Sequence, residues 1–172
     1  MTTFQNDKPI TGINFQCSDA LQVCMAIERE GISFYEQTAK KISNPQVQEV
    51  FRKLAREEKE HSKTLQEKWK YLQPVVNKRA PINEEVNSFI QNEVKGRVFP
   101  NTESYLEKLP ELETDLCAIE FGIACEKRSI EILEHLQDNE RKIDVKAIFS
   151  HLIAEKKKHL AVLDVLKADL DG

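Results

Sequence analysis

Six side chains stand where a helix of a water-soluble protein normally presents hydrocarbon: Glu28, Glu58, His61, Glu126, Lys156 and His159. Each falls within a run of apolar residues spaced three and four apart, the spacing of one helix face. The first run is Leu21, Cys24, Glu28, Gly31, Tyr35, Thr38, Ile42, and the second Val47, Phe51, Leu54, Glu58, His61, Leu65, Trp69, Leu72. The third is Ile119, Ile123, Glu126, Ile130, Leu133, Leu136, and the fourth Val145, Phe149, Leu152, Lys156, His159, Leu163, Leu166, Leu170. An ionised carboxylate buried without a partner costs several kcal/mol, so three of them would leave a domain of this size marginal or unfolded. A divalent or trivalent cation removes that cost, and carboxylate oxygen together with imidazole suits iron, manganese or zinc. Glu58 and His61, three residues apart, share a face and can share an ion.

Lys156 keeps several arrangements open. An ammonium beside two metal ions is repelled unless it loses its proton. It could instead replace the charge of one ion, leaving Glu28, Glu58, His61 and Glu126 to hold a single metal. Alternatively Glu155, four residues before His159 and on nearly the same face, swings in as a ligand while Lys156 turns out. In a metal-free layer Lys156 would pair with Glu58 and Glu126. Tyr35, two turns from Glu28, is either core or a hydrogen-bond donor to this layer. His135 and His151 fall outside the apolar runs and read as solvent-exposed.

Four long helices must carry these residues. The spacing predicts them over about 18–43, 45–72, 114–138 and 144–170, with Ser18-Asp19 and Asn44-Pro45 as start signals. Short links after Ser43 and Asp138 make each consecutive pair an antiparallel hairpin. Between the hairpins, about 73–113 carries Pro74, Pro81, Pro100 and Pro110 and a predicted short helix from Glu84 to Val94. A connection that long can run the length of a bundle and set the hairpins side by side. The hairpins also repeat at an offset of 98 positions: Phe51 falls on Phe149, Leu54 on Leu152, Glu28 on Glu126, Glu57 on Glu155, Glu58 on Lys156 and His61 on His159. Such a repeat implies a pseudo-two-fold axis about which equivalent residues meet. The expectation is a single all-α domain over 1–172, a four-helix bundle of two hairpins with one long crossover.

Composition narrows the function. The 172 residues carry a formal net charge of −4 with Lys and Glu interspersed, which argues against a nucleic-acid surface. No apolar stretch approaches the roughly 20 residues that span a bilayer, and residues 1–16 do not read as a signal peptide. The expected compartment is the cytoplasm. The four cysteines, Cys17, Cys24, Cys117 and Cys125, include no CxxC pair, so a zinc ribbon or rubredoxin-type iron site is unsupported and free thiols are expected.

The motifs resemble the rubrerythrin family of the ferritin-like superfamily, whose pattern is E-x6-Y on one helix and ExxH on the next, repeated in the second hairpin. Here the first half reads Glu28-x6-Tyr35 and Glu58-x-x-His61; the second supplies Glu126 and His159. The resemblance covers about 18–170 apart from the crossover. It implies a non-haem di-iron centre, with Glu28 and Glu126 as terminal ligands, Glu58 bridging, His61 and His159 capping one ion each, and Tyr35 beside the centre as the candidate catalytic side chain. It also implies hydrogen peroxide reduction with electrons from a rubredoxin-type iron site, and a homodimer. Two positions depart from the pattern: Lys156 stands where the second bridging Glu belongs, and Leu133 where the second Tyr belongs. Electrons would come from a separate rubredoxin-like protein. Three functions remain in view: a peroxide-reducing enzyme, a protein that binds iron, manganese or zinc without turnover, and a metal-free interaction bundle.

Overall fold

The computed structural model describes residues 13–72, 83–100 and 114–172, and within them every regular element is helical. Helix α1 spans Cys17–Ala39 and α2 Pro45–Leu72. A short α3, Glu84–Phe89, runs on into a π-helical turn, Ile90–Val94. The second hairpin is α4, Asp115–Asp138, and α5, Ile143–Asp171. Packing is strongest within each hairpin, α1 on α2 and α4 on α5, and α1 also packs on α5. Of the expected crossover, 73–82 and 101–113 lie outside the described residues.

The start signals act at short range. Asn44 accepts the backbone N–H of Gln46 at 2.9 Å and Thr114 that of Cys117 at 3.0 Å, each satisfying a donor that a first helical turn leaves unpaired. Helix α1 begins one residue before the predicted start: Gln16 is its cap, and Asp19 reaches back to accept the Gln16 N–H at 2.8 Å. It also ends at Ala39 rather than Ser43. The apolar period outlasts the helix there because Ile42 stays buried while the chain is already turning. Asp115 then receives the backbone N–H groups of Ser43 and Asn44, at 3.0 and 2.8 Å, pinning the first interhelical turn to the second hairpin.

Contacts between repeat-related residues locate the pseudo-two-fold axis. Lys156 touches Glu58, 98 positions away, and the rings of His61 and His159 stack with centroids 5.9 Å apart and planes 17° apart. A residue can meet its own equivalent only where the axis passes. The pairing off the axis is symmetric too: Glu57 meets His159 and Glu155 meets His61, both at 3.1 Å. On either side of this level the core is hydrocarbon, with Phe51, Leu54, Phe149 and Leu152 buried along α2 and α5. The end of the described crossover closes it, Val98 and Phe99 being buried with the Phe99 ring 5.8 Å from that of Phe34 and 5.9 Å from that of Tyr35.

Candidate metal centre

All four long helices contribute to one buried polar layer: Glu28 and Tyr35 from α1, Glu58 from α2, Glu126 from α4, Lys156 and His159 from α5. Lys156 points inward. Its Nζ lies 2.7 Å from Glu58 Oε1, 3.3 Å from Glu28 Oε1 and 3.9 Å from Glu126 Oε2, and 5.1 Å from the centroid of Phe99. Tyr35 donates its hydroxyl to Glu126 Oε1 at 2.5 Å. His159 spans the layer's edge, with Nε2 on Glu57 and Nδ1 facing Glu58 Oε1 at 3.4 Å and Glu126 Oε1 at 3.7 Å.

The predicted ligands divide into two groups. Glu28, Glu58, Glu126 and His159 come together in the interior. His61 and Glu155 pair with each other at the partly exposed rim, their side chains 26% and 17% accessible. The sequence pattern had grouped a single ion with Glu28, Glu58, His61 and Glu126. The ligand atoms that lie within 4.8 Å of one another are instead those of Glu58, Glu126 and His159. His135 and His151 are exposed.

Electrostatics follow from burial and from the lysine. Burial, with the Glu58 charge beside it, pushes the Glu28 carboxyl well above the ordinary range. Burial would do the same to Glu58, but the Lys156 ammonium and His159 outweigh it and hold that carboxyl low. Burial likewise opposes the charge on Lys156, and Glu126, Glu28 and Glu58 together overcome it, so the ammonium is retained. His159 is pushed up to about 10 by Glu126 and Glu58 against the effect of burial. His61 is held below its usual value by burial, against the pull of the Glu155 carboxylate 3.1 Å away. Burial and the neighbouring Glu126 charge keep the Tyr35 phenol protonated.

The layer is incompletely satisfied. Both oxygens of Glu28, Oε2 of Glu58, Oε2 of Glu126 and Nδ1 of His159 are buried without a hydrogen bond, an arrangement that costs stability unless a further partner is supplied. One cation on Glu58, Glu126 and His159, bound as the imidazole gives up its proton, would partner three of these four residues, while Glu28 faces the Lys156 ammonium. Two do not fit. The Lys156 ammonium occupies the place of a second bridging carboxylate, 2.7 Å from Glu58 and 3.3 Å from Glu28, and repels a second ion there.

Three participants carried little sequence signal. Glu57 binds His159, and only the repeat of Glu57 on Glu155 hints at it. Phe99 reaches Lys156 from an irregular segment with no periodicity to read. At Gly31 an added Cβ would fall 2.2 Å from Glu58 Oε2, so the glycine in the α1 stripe is the space in which that carboxylate sits.

Comparison with known proteins agrees with this architecture. The rubrerythrin family model matches residues 19–167. No curated protein matches the chain. Among solved structures, an uncharacterized conserved protein from Magnetospirillum magnetotacticum MS-1 superposes with a TM-score of 0.67, over 90% of this chain and 95% of its own, at 18% identity. Likeness at that identity speaks to the fold alone, a ferritin-like four-helix bundle.

Proposed function

The chain belongs to the rubrerythrin family, and from that premise we propose that it is a non-haem metal-binding protein holding one ion on Glu58, Glu126 and His159. The observation that carries this reading is the convergence of three buried ligand atoms within 4.8 Å, from three different helices. The family's metal is iron; carboxylate oxygen and imidazole also accept manganese and zinc. Tyr35 supports the site by donating to Glu126 Oε1, which orients that carboxylate and leaves Oε2 for the ion. An iron ion bound there would supply a redox-active Lewis acid.

Peroxide reduction stands second in this reading. It consumes two electrons; two ferrous ions supply one each on going to ferric, whereas a single ferrous ion supplies only one, so a rubredoxin-like one-electron donor would have to deliver the second. Binding or storage of the ion comes first. A cytoplasmic homodimer without nucleic-acid or membrane partners completes the proposal. A net charge of −4 supports the absence of nucleic acid, and no helix among the described residues is long and apolar enough to cross a membrane.

The test is metal content per chain after anaerobic ferrous reconstitution, by plasma mass spectrometry. One ion is expected, lost in His159→Ala and Glu126→Gln. No ion at any loading would make the layer a metal-free salt-bridge network. Two in the wild type would overturn the single-ion reading. Peroxide consumption by the ferrous protein, with and without a reduced rubredoxin, then decides the second reading.

A further inference from the structure

We infer that Lys156 is a tethered cation filling the half of the polar layer formed by Glu28, Glu58 and His61, and that a carboxylate at position 156 opens this half to a second ion. The inference rests on the single-ion reading above but is tested separately from it.

The first argument is charge. Exchanging one divalent ion and one bridging carboxylate for one ammonium leaves the net charge of the layer unchanged, since a charge of +2 and a charge of −1 give way to +1. A neutral replacement at this position would leave buried carboxylate charge uncompensated, at several kcal/mol for each ion taken from water. Lysine is thus the side-chain type that can end metal binding in one half without unbalancing the other.

Position is the second. Lys156 is the repeat equivalent of Glu58 and lies on the pseudo-two-fold axis, where a second bridging ligand would stand. Its Nζ sits 3.3 Å from Glu28 Oε1 and 2.7 Å from Glu58 Oε1, on the Glu28 side of the layer and farthest from Glu126, at 3.9 Å. A cation in that half would be held by the same two carboxylates. The Phe99 ring, 5.1 Å from the ammonium, adds a cation–π contact that favours a singly charged organic cation there.

The third is the state of the remaining ligand. His61 is the equivalent of His159, and each ring sets Nε2 3.1 Å from a Glu of the other hairpin and leaves a buried Nδ1 without a hydrogen bond; they differ in exposure, the His61 side chain being 26% accessible and that of His159 2%. His159 faces two interior carboxylates with its own Nδ1. The half of His159 therefore brings imidazole and carboxylates together, and the half of His61, where the lysine sits, does not.

Three proteins distinguish the outcomes: wild type, Lys156→Glu and Lys156→Ala, each refolded with and without manganese. Metal content is read by plasma mass spectrometry, and coupling by electron paramagnetic resonance, where a dinuclear manganese pair gives a hyperfine pattern distinct from that of a single ion. Lys156→Glu is expected to hold one ion more than wild type, with the coupled-pair signature. Lys156→Ala, which opens the same space without adding a carboxylate, covers the case in which four buried acids prevent folding; it too is expected to gain an ion and to regain stability as manganese is added. No gain by either variant while folded, by circular dichroism, overturns the inference. Wild type with no ion and Lys156→Glu with a gained ion would overturn the single-ion function and leave the role of Lys156 standing.

Discussion

At the residue scale the layer depends on contacts with no slack. Alanine at Gly31 would recover the ~1 kcal/mol that glycine costs within a helix, but its Cβ would lie 2.2 Å from Glu58 Oε2 and 2.8 Å from Cδ. The Glu58 carboxylate cannot swing aside cheaply, because Lys156 and His159 face its other oxygen. Gly31→Ala is therefore expected to destabilise the protein by about 1–3 kcal/mol, the usual penalty of overpacking, as read by urea denaturation. Tyr35→Phe leaves Glu126 Oε1 without its hydroxyl donor in a buried setting and is expected to cost about 1–3 kcal/mol; an unchanged midpoint would mean that the 2.5 Å contact contributes nothing. The inward direction of Glu28, Glu58, Glu126, Lys156 and His159 was legible from three- and four-residue spacing alone. The outward turn of His61 was not. It occupies a stripe position, and only the nearby Glu155, supplied by a different helix, decides which way its ring faces.

At the element scale the crossover is held by a backbone feature that periodicity does not encode. Gly96 adopts a φ of 74°, a conformation glycine takes at little cost, and its N–H donates to Glu30 Oε1 at 2.9 Å. That turn delivers Val98 and Phe99 into the bundle and so sets the ring that covers Lys156. Burial raises the Glu30 carboxyl from 4.5 to about 7, against the opposing pull of the Gly96 N–H and Lys95. An acid whose pKa is higher in the folded than in the unfolded chain binds its proton more tightly when folded. Its contribution to stability is complete below about 4.5 and is lost as pH rises through about 7. The stability difference between wild type and Glu30→Gln is therefore expected to shift against wild type between pH 5 and 8, measured by denaturant midpoints at each pH; a difference independent of pH would show that Glu30 titrates as an exposed acid. The four long helices were readable because each presents a continuous apolar face over six or more turns. The π-helical turn at Ile90–Val94 had no such signal, for the apolar pattern there reads equally well as one unbroken α-helix.

At the scale of the whole molecule, the repeat at 98 positions predicted the pseudo-two-fold axis before any coordinate. It succeeded because packing at an axis constrains both halves at once: Glu58 on Lys156 and His61 on His159 are sequence equivalents and spatial neighbours. The same symmetry makes the polar layer a structural liability shared by both hairpins, since α1, α2, α4 and α5 each place an ionisable group in it. Metal at the centre should therefore be felt globally. Binding to the folded state alone contributes about 2.7 kcal/mol at a free ion concentration one hundred times Kd, and for a domain of this size that corresponds to a Tm higher by roughly 5–10 °C. Calorimetry of the metal-loaded protein before and after chelation is expected to show a shift of that size as a single transition, because no hairpin can release its share of the layer alone. The His159→Ala protein should lack the metal-dependent part of the shift. Two transitions, or a Tm indifferent to chelation, would mean that Lys156 and the surrounding acids already stabilise the axis without an ion, and that the hairpins are coupled only through their hydrocarbon faces.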